Sequence, residues 1–437
     1  MSLEIIPIGG FSEIGRNCAA LKVDDEIVIF DMGLHMEKYI EHTDSRDLVD
    51  MSVETLMDIG AVPDIRVLKE MKEKVVAICI GHAHLDHLGA AVFLSNEFDC
   101  PVIGSPFTMA VFDAMVKDQR IDVENELIQL KVNSKYKLSK NLELEFLNAT
   151  HSTPETVLMA IHSKYGTVVY ANDFKLDYNP TLGQKTNIKR LKEMDIKALI
   201  VDCLYSTTPS KTPSESVAKD MLKDVLLNYD TKNKNIFVTT FSSHIARLKT
   251  IKEIGKKLGR KVVFLGRSLA KYSYAAEDAN ITKFDDVTIV KYSGKVKKFF
   301  LKLKNTTKYL FVVTGHQGES KAVLSKIIDE KYFNFKSGDI IVFSCGVIPV
   351  KKNVSDRKIL EQKLKQKHLK IFNNIHVSGH AFLEDQRYLF GIAKPEHIIP
   401  VHGDQKRMEA MKKMALEEGW NKKNIHMLKN KEKVILS

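Results

Sequence analysis

The chain has 437 residues, 44% hydrophobic and 28% charged, with a formal net charge of +11 and a pI near 9.1. That length points to two domains, and the apolar fraction is enough for a sizeable core. No apolar run approaches the ~20 residues that cross a bilayer, and the opening "MSLEIIPIGG" reads as a strand and glycine turn, not a signal peptide.

Five cysteines (Cys18, Cys79, Cys100, Cys203, Cys345) are scattered without a CxxC pair. This is the usage of reduced, buried thiols, so a soluble cytoplasmic protein without membrane contact is expected.

In chain order, buried aliphatic strands repeatedly end in an acid or a histidine. "DEIVIFDMG" ends at Asp31, "VVAICIGHAH" at His82, "LELEFLNATH" at His151 and "GTVVYANDF" at Asp173, followed by "KALIVDCL" at Asp202. Such polar residues project from one end of a sheet, where α/β folds place their sites. A polar connector, "STTPSKTPSES" (206–216), then leads into alternating helix and strand patterns, the rhythm of a second α/β unit. Within it, "KYSGKVKKFFLKLKNTTK" (291–308) interleaves lysines with aromatic and aliphatic residues, a surface that would draw an acidic polymer such as RNA. After the basic helical stretch "DRKILEQKLKQKHLK", a strand is expected over "IFNNIHVSGHAF", and "HIIPVHGD" ends at His402. One domain (1–205 and 371–437) interrupted by an insertion (206–370) accounts for this order.

The chemistry centres on "GHAHLDHLGAAVFL" (81–94). Residues two apart in an extended turn point the same way, so His82 and His84 can converge on one ion. Asp86 and His87, at the start of an expected helix, can turn to a second ion. Imidazoles with a few carboxylates suit zinc and, less well, manganese. His151 adds a ligand, Asp173 is the kind of carboxylate that bridges two cations, and His402 would complete the second site. Taken singly, these three also fit a capping aspartate and ordinary polar turns.

The order DMG, HxHxDH, isolated His, isolated Asp resembles the metallo-β-lactamase superfamily, which implies an αββα sandwich. The features that follow are similar to its β-CASP nucleases, which insert an α/β domain: Asp202 in "VDCLYS", His380 in "HVSGHA" and His402 in "PVHGD" occupy the places of motifs A, B and C. "NDFK", "TFSSHIARL", "GRS", "TGHQGE", "HVSGHA" and "IPVHGD" resemble the ribonuclease J family in its short, archaeal-like form. Two positions depart from that pattern: His316 stands where a small residue is more common, and Asp404 where glutamate is.

The resemblance implies a zinc-dependent 5′-to-3′ exoribonuclease acting on single-stranded RNA from a 5′-monophosphate end, and a homodimer. Two Zn2+ per chain are expected, with Mn2+ or Mg2+ as substitutes. His82, His84 and His151 would hold one ion, Asp86, His87 and His402 the other, and Asp173 both. Asp31 would orient a ligand histidine. His380 would act as general acid for the leaving 3′ oxygen, with Asp202 fixing its tautomer and raising its pKa, or else as a phosphate ligand. Ser242, Ser243, His244, Arg267, Ser268, His376, Ser378, Gly379 and His380 are the candidates for RNA and 5′-phosphate binding. Helix capping is the alternative for Ser242 and Ser243. An endoribonuclease of the same branch, a small-molecule metallohydrolase and a metal-free scaffold are the rival readings. The first shares every motif, whereas the insertion and the full ligand set weigh against the other two.

Overall fold

The computed structural model describes residues 2–43, 51–348 and 350–436. Two compact units emerge: 1–178 with 183–212 and 379–437, and 179–182 with 213–378. The sequence reading placed the insertion at 206–370, bounds that differ from these at both ends.

The first unit holds two sheets. One has seven strands in the spatial order Val434–Leu436, Leu3–Gly9, Cys18–Val23, Glu26–Phe30, Val75–Ile80, Val102–Gly104 and Leu127–Gln129. The other has six, in the order His397–Val401, Ile196–Asp202, Gly166–Ala171, Val157–Ser163, Glu143–Asn148 and Lys135–Lys137. Alternate residues of each sheet meet in a shared core: Val28, Phe30, Ala77 and Cys79 from the first, Phe146, Met159, Val168 and Ile200 from the second. Phe30 stacks on Tyr170 across the gap at 5.0 Å. The opposite face of the second sheet carries Leu158, Val169 and Leu199 against Leu389, Phe390, Met408 and Met411 of two helices, Leu383–Ala393 and Gln405–Glu417. Pro106–Gln119 packs beside the first sheet. This is the expected αββα sandwich, and its central strands are buried on both faces, as near-continuous aliphatic runs require.

The second unit is a six-stranded, all-parallel sheet in the order Thr288–Val290, Lys261–Leu265, Tyr309–Val313, Ile236–Thr239, Ile340–Phe343 and Lys370–Phe372. Helices Glu215–Leu227, Ile245–Lys257, Arg267–Asp278, Ser293–Lys302, Val323–Asp329 and Lys351–Gln366 connect or precede the strands. This α/β insertion agrees with the alternating sequence pattern.

Two local expectations are corrected. "DHLGAAVFL" forms two short helices, Leu85–Leu88 and Ala91–Leu94, rather than one. Backbone bonds divert at the break, where Ala90 N–H donates to Met32 O at 2.8 Å. The strand expected over "IFNNIHVSGHAF" ends at Phe372, and Asn374 adopts a left-handed φ of 60°, which a strand cannot contain. All five cysteines are free and buried. No helix among the described residues is long and apolar enough to cross a membrane.

Candidate metal centre

Strand ends from both sheets of the first unit carry the ligand-type residues into one cluster. His82 and His84 sit in the loop after Val75–Ile80, and Asp86 and His87 lie on the one-turn helix that follows. His151, Asp173 and His402 follow Glu143–Asn148, Gly166–Ala171 and His397–Val401. Asp31 (φ 59°), Asp173 (φ 55°) and His402 (φ 59°) all adopt left-handed backbone conformations. Non-glycine residues rarely do so, and such strain gathers where geometry is imposed by a site.

The loops are locked together by their backbones. Gly33 of the "DMG" turn lies against the histidine loop so closely that a Cβ there would stand 1.6 Å from Asp86 O. Met32 N–H donates to His87 O at 2.7 Å, and Asn17 N–H to Asp86 O at 2.9 Å.

Donor atoms fall into overlapping groups: His82, His84, His151 and Asp173; Asp86, His87 and His402; and Asp173, His380 and His402, the atoms in each within 4.8 Å of one another. In the first, His82 Nε2 and His151 Nε2 lie 3.0 and 3.1 Å from His84 Nδ1. Burial pushes all three imidazoles down, His84 to about 3, so near neutral pH they present lone pairs. Asp173 Oδ2 lies 3.3 Å from His87 Nε2, 3.4 Å from His82 Nε2 and 3.5 Å from His151 Nε2, and 3.9 Å from His380 Nε2. Its Oδ1 is buried without a hydrogen-bond partner among the described residues. Against the opposing effect of burial, the His87, His380 and His402 charges hold the Asp173 carboxyl well below the usual range. Converging neutral imidazoles around an ionised, orphaned carboxylate oxygen fit a cation, and the nitrogen-rich donor set fits zinc.

Neighbours fix the tautomers. His87 Nδ1 donates to Asp31 Oδ2 at 2.7 Å, while Asp31 Oδ1 accepts from Gly81 N–H at 2.8 Å, which leaves His87 Nε2 facing the cluster. His151 Nδ1 donates to Gly379 O at 2.7 Å with the same effect. These are the contacts that orient metal-binding imidazoles. Burial opposes protonation of His87, but Asp173, Asp86 and Asp31 outweigh it and raise its pKa well above normal.

His380 stands at the rim, its ring stacked 5.7 Å from that of His402. Its Nδ1 donates to Asp202 Oδ2 at 2.8 Å, and Asp202 Oδ1 is held by Leu204 N–H at 2.7 Å. Burial is again overcome, here by Asp173 and Asp202, and His380 is pushed up to about 9.

Asn17 escaped the sequence reading. Its amide nitrogen donates to Asp86 O at 3.1 Å and lies 3.0 Å from His87 Nε2, and its oxygen is 3.1 Å from His402 Nδ1. It touches all three residues of the second group, and "EIGRNC", polar and between two strands, was the available signal.

The remaining candidates lie in the second unit, except Gly379. Ser242, Ser243 and His244 follow Ile236–Thr239, and Arg267 and Ser268 follow Lys261–Leu265. His376 and Ser378 follow Lys370–Phe372. All therefore leave the C-terminal edge of one parallel sheet, where open α/β folds bind ligands. Arg267 and Ser268 are exposed. The N-cap of Ile245–Lys257 is His244, so neither Ser242 nor Ser243 has the capping role.

Comparison with known proteins agrees with this geometry. Residues 14–196 match the metallo-beta-lactamase superfamily, 233–361 the ribonuclease J beta-CASP domain, and 366–427 the Zn-dependent metallo-hydrolase RNA specificity domain. Ribonuclease J of Methanocaldococcus jannaschii is 39% identical over 98% of each chain. That of Pyrococcus abyssi is 38% identical over 96% of this chain and 93% of its own, and that of a Synechocystis species is 28% identical over 100% of this chain and 66% of its own. A crystal structure of an Enterococcus faecalis protein of unknown function superposes with a TM-score of 0.69 over 100% of both chains at 17% identity, a likeness of fold alone. The chain belongs to the ribonuclease J family of β-CASP metallo-β-lactamases, Zn-dependent metallo-hydrolases with an RNA specificity domain.

Proposed function

We propose that the protein is a two-zinc 5′-to-3′ exoribonuclease that shortens single-stranded RNA from a 5′-monophosphate end. The observation that carries this reading is the two donor groups beside Asp173, which belongs to the first and lies 3.3 Å from His87 and 3.8 Å from His402 of the second, with the His380–Asp202 pair next to them. His82, His84 and His151 would hold one ion, Asp86, His87 and His402 the other, with Asp173 shared. When bound, the ions supply water activation and charge neutralisation at the phosphodiester.

The protein's own groups do the rest. Asp31 and Gly379 O keep the Nε2 atoms of His87 and His151 turned inward. His380 is protonated at neutral pH, and its Nε2 faces the cluster, placed to give its proton to the departing 3′ oxygen. Asp202 keeps the Nδ1 proton in place, so the proton released comes from Nε2. We assign recognition of the 5′-phosphate to the C-terminal edge of the second unit's sheet, through Ser242, Ser243, His244, Arg267, Ser268, His376 and Ser378, with Gly379 next in the chain. Backbone N–H groups and an exposed arginine suit a terminal phosphate.

The test is a single-stranded RNA labelled at its 3′ end, offered with a 5′-monophosphate or a 5′-triphosphate. Zinc-loaded protein should release mononucleotides from the monophosphate form alone, and an Asp86→Ala, His87→Ala variant should not. Internal fragments independent of the 5′ group would replace this reading with an endonuclease.

A further inference from the structure

One stretch of this chain carries positive charge with no acid to oppose it. Between Val287 and Gly318 there are seven lysines and no acidic residue, so this stretch supplies seven of the eleven excess positive charges. The helix Ser293–Lys302 runs through it. Val296 and Phe300 turn inward to the core around Phe237, Phe311 and Phe333, and Lys295, Lys298 and Lys302 turn outward, all exposed. Their i, i+3, i+7 spacing aligns them on one helix face.

Aromatic rings accompany the charge. Tyr292 is 49% exposed, with Lys291 Nζ and Lys295 Nζ each 5.5 Å from its ring centroid. Lys297 Nζ lies 5.6 Å from the ring of Tyr332. Glu330, which bonds to Tyr332, is the acid at the margin. Leu301 is 77% exposed on the same helix. An ordinary solvated lysine face interleaves acids and hides its rings, whereas lysines beside open aromatic rings are the equipment for holding a single-stranded nucleic acid: charge for phosphates, rings for bases.

The geometry points to the face of Ser293–Lys302, in the second unit, as a docking surface for the body of a single-stranded RNA. This rests on the RNA reading of the preceding section. At a rise of 1.5 Å per residue, Lys295 to Lys302 spans about 10 Å, which covers about three phosphates of a stacked strand. The surface would hold long substrates by their backbone without sequence preference and contribute nothing to very short ones.

The experiment compares three proteins: wild type; Lys295→Glu, Lys298→Glu, Lys302→Glu; and a control of equal charge, Lys232→Glu, Lys257→Glu, Lys261→Glu, all exposed positions of the same unit. Binding of a long 5′-monophosphorylated single-stranded RNA is followed by fluorescence anisotropy between about 50 and 200 mM salt, with turnover of a tetranucleotide measured in parallel. The face variant should raise Kd about tenfold at low salt and flatten the log Kd against log salt slope by about 2, at roughly 0.7 per lost phosphate contact. Its tetranucleotide turnover should match wild type. Tyr292→Ala should weaken binding several-fold without changing the slope. Equal losses in the face and control variants, or RNA binding unchanged in the face variant, would overturn the assignment. Wild type that cuts neither RNA would instead remove the nuclease reading, and the anisotropy measurement would still judge the surface.

Discussion

Replacing Asp202 with asparagine preserves the shape of the rim and removes the charge that faces His380 Nδ1 at 2.8 Å. Opposite charges about 4 Å apart gain roughly 4 kcal/mol at an effective dielectric near 20, before desolvation is subtracted. What remains of such a pairing usually moves an ionisation by about 1–3 pH units. His380 is held at about 9 by Asp173 and Asp202 against burial, and because Asp173 stays, the variant should ionise between roughly 6 and 8. The sign follows from the raised value: His380 carries its proton below about 9 and loses it as pH rises through that value. The alkaline limb of the pH–rate profile should therefore move toward neutrality in Asp202→Asn. Activity near pH 6 should retain about half or more of its wild-type value, and activity near pH 8.5 should fall by between about 3-fold and a few hundred-fold, according to where in that range the variant ionises. The assay is kcat on 3′-labelled, 5′-monophosphorylated RNA across pH, with bound zinc measured in the same samples. An unmoved alkaline limb refutes the pairing, and a loss of the same proportion at every pH makes His380 a phosphate ligand rather than a proton donor.

Three further outcomes are expected. Asn17→Ala, which removes one side-chain contact from each of Asp86, His87 and His402, should weaken zinc binding about 10–100-fold in chelator competition, with an unchanged circular dichroism spectrum. Gly33→Ala drives a methyl into Asp86 O and should cost about 1–3 kcal/mol in chemical denaturation, together with loss of bound zinc. In the second unit, Arg247 is fully buried and doubly bonded to Glu215 at 2.6 and 2.8 Å; Arg247→Leu should cost about 3–5 kcal/mol by taking the guanidinium away from the buried Glu215 carboxylate. Despite burial, His244 and Arg247 hold Glu215 well below its usual value. The wild-type pair therefore contributes fully above the ordinary carboxylate range, and that contribution is lost as pH falls through the lowered value, so unfolding below about pH 4 should separate the two proteins less than unfolding at neutral pH.

Much of this was legible because it was local. Runs such as "VVAICI" and "KALIVD" are strands on apolar continuity alone, and four ligand-type residues within six positions of residue 82 needed no long-range knowledge. What escaped depends on contacts between distant segments. Asn17 meets His87 across 70 positions and His402 across 385, and no spacing rule reaches that far. Gly379 O, which orients His151, is a backbone atom and has no side-chain signature at all. The continuous helix expected after Asp86 failed because the amide of Ala90 is claimed by Met32, a residue of another strand end. The expected strand through "HVSGHA" failed on the backbone turn at Asn374, a residue whose short polar side chain tolerates it.

The spread of the cluster along the chain has a consequence for the order in which the protein is made. His82, His84, Asp86, His87, His151 and Asp173 leave the ribosome first. Gly379, whose carbonyl sets the His151 ring, and then His402 arrive only after the whole intervening α/β unit has been translated. Until His402 is added, a growing chain thus carries only a partial set of donors. The donor set is therefore completed by the last segment to be made, once Gly379, His380 and His402 have all been added.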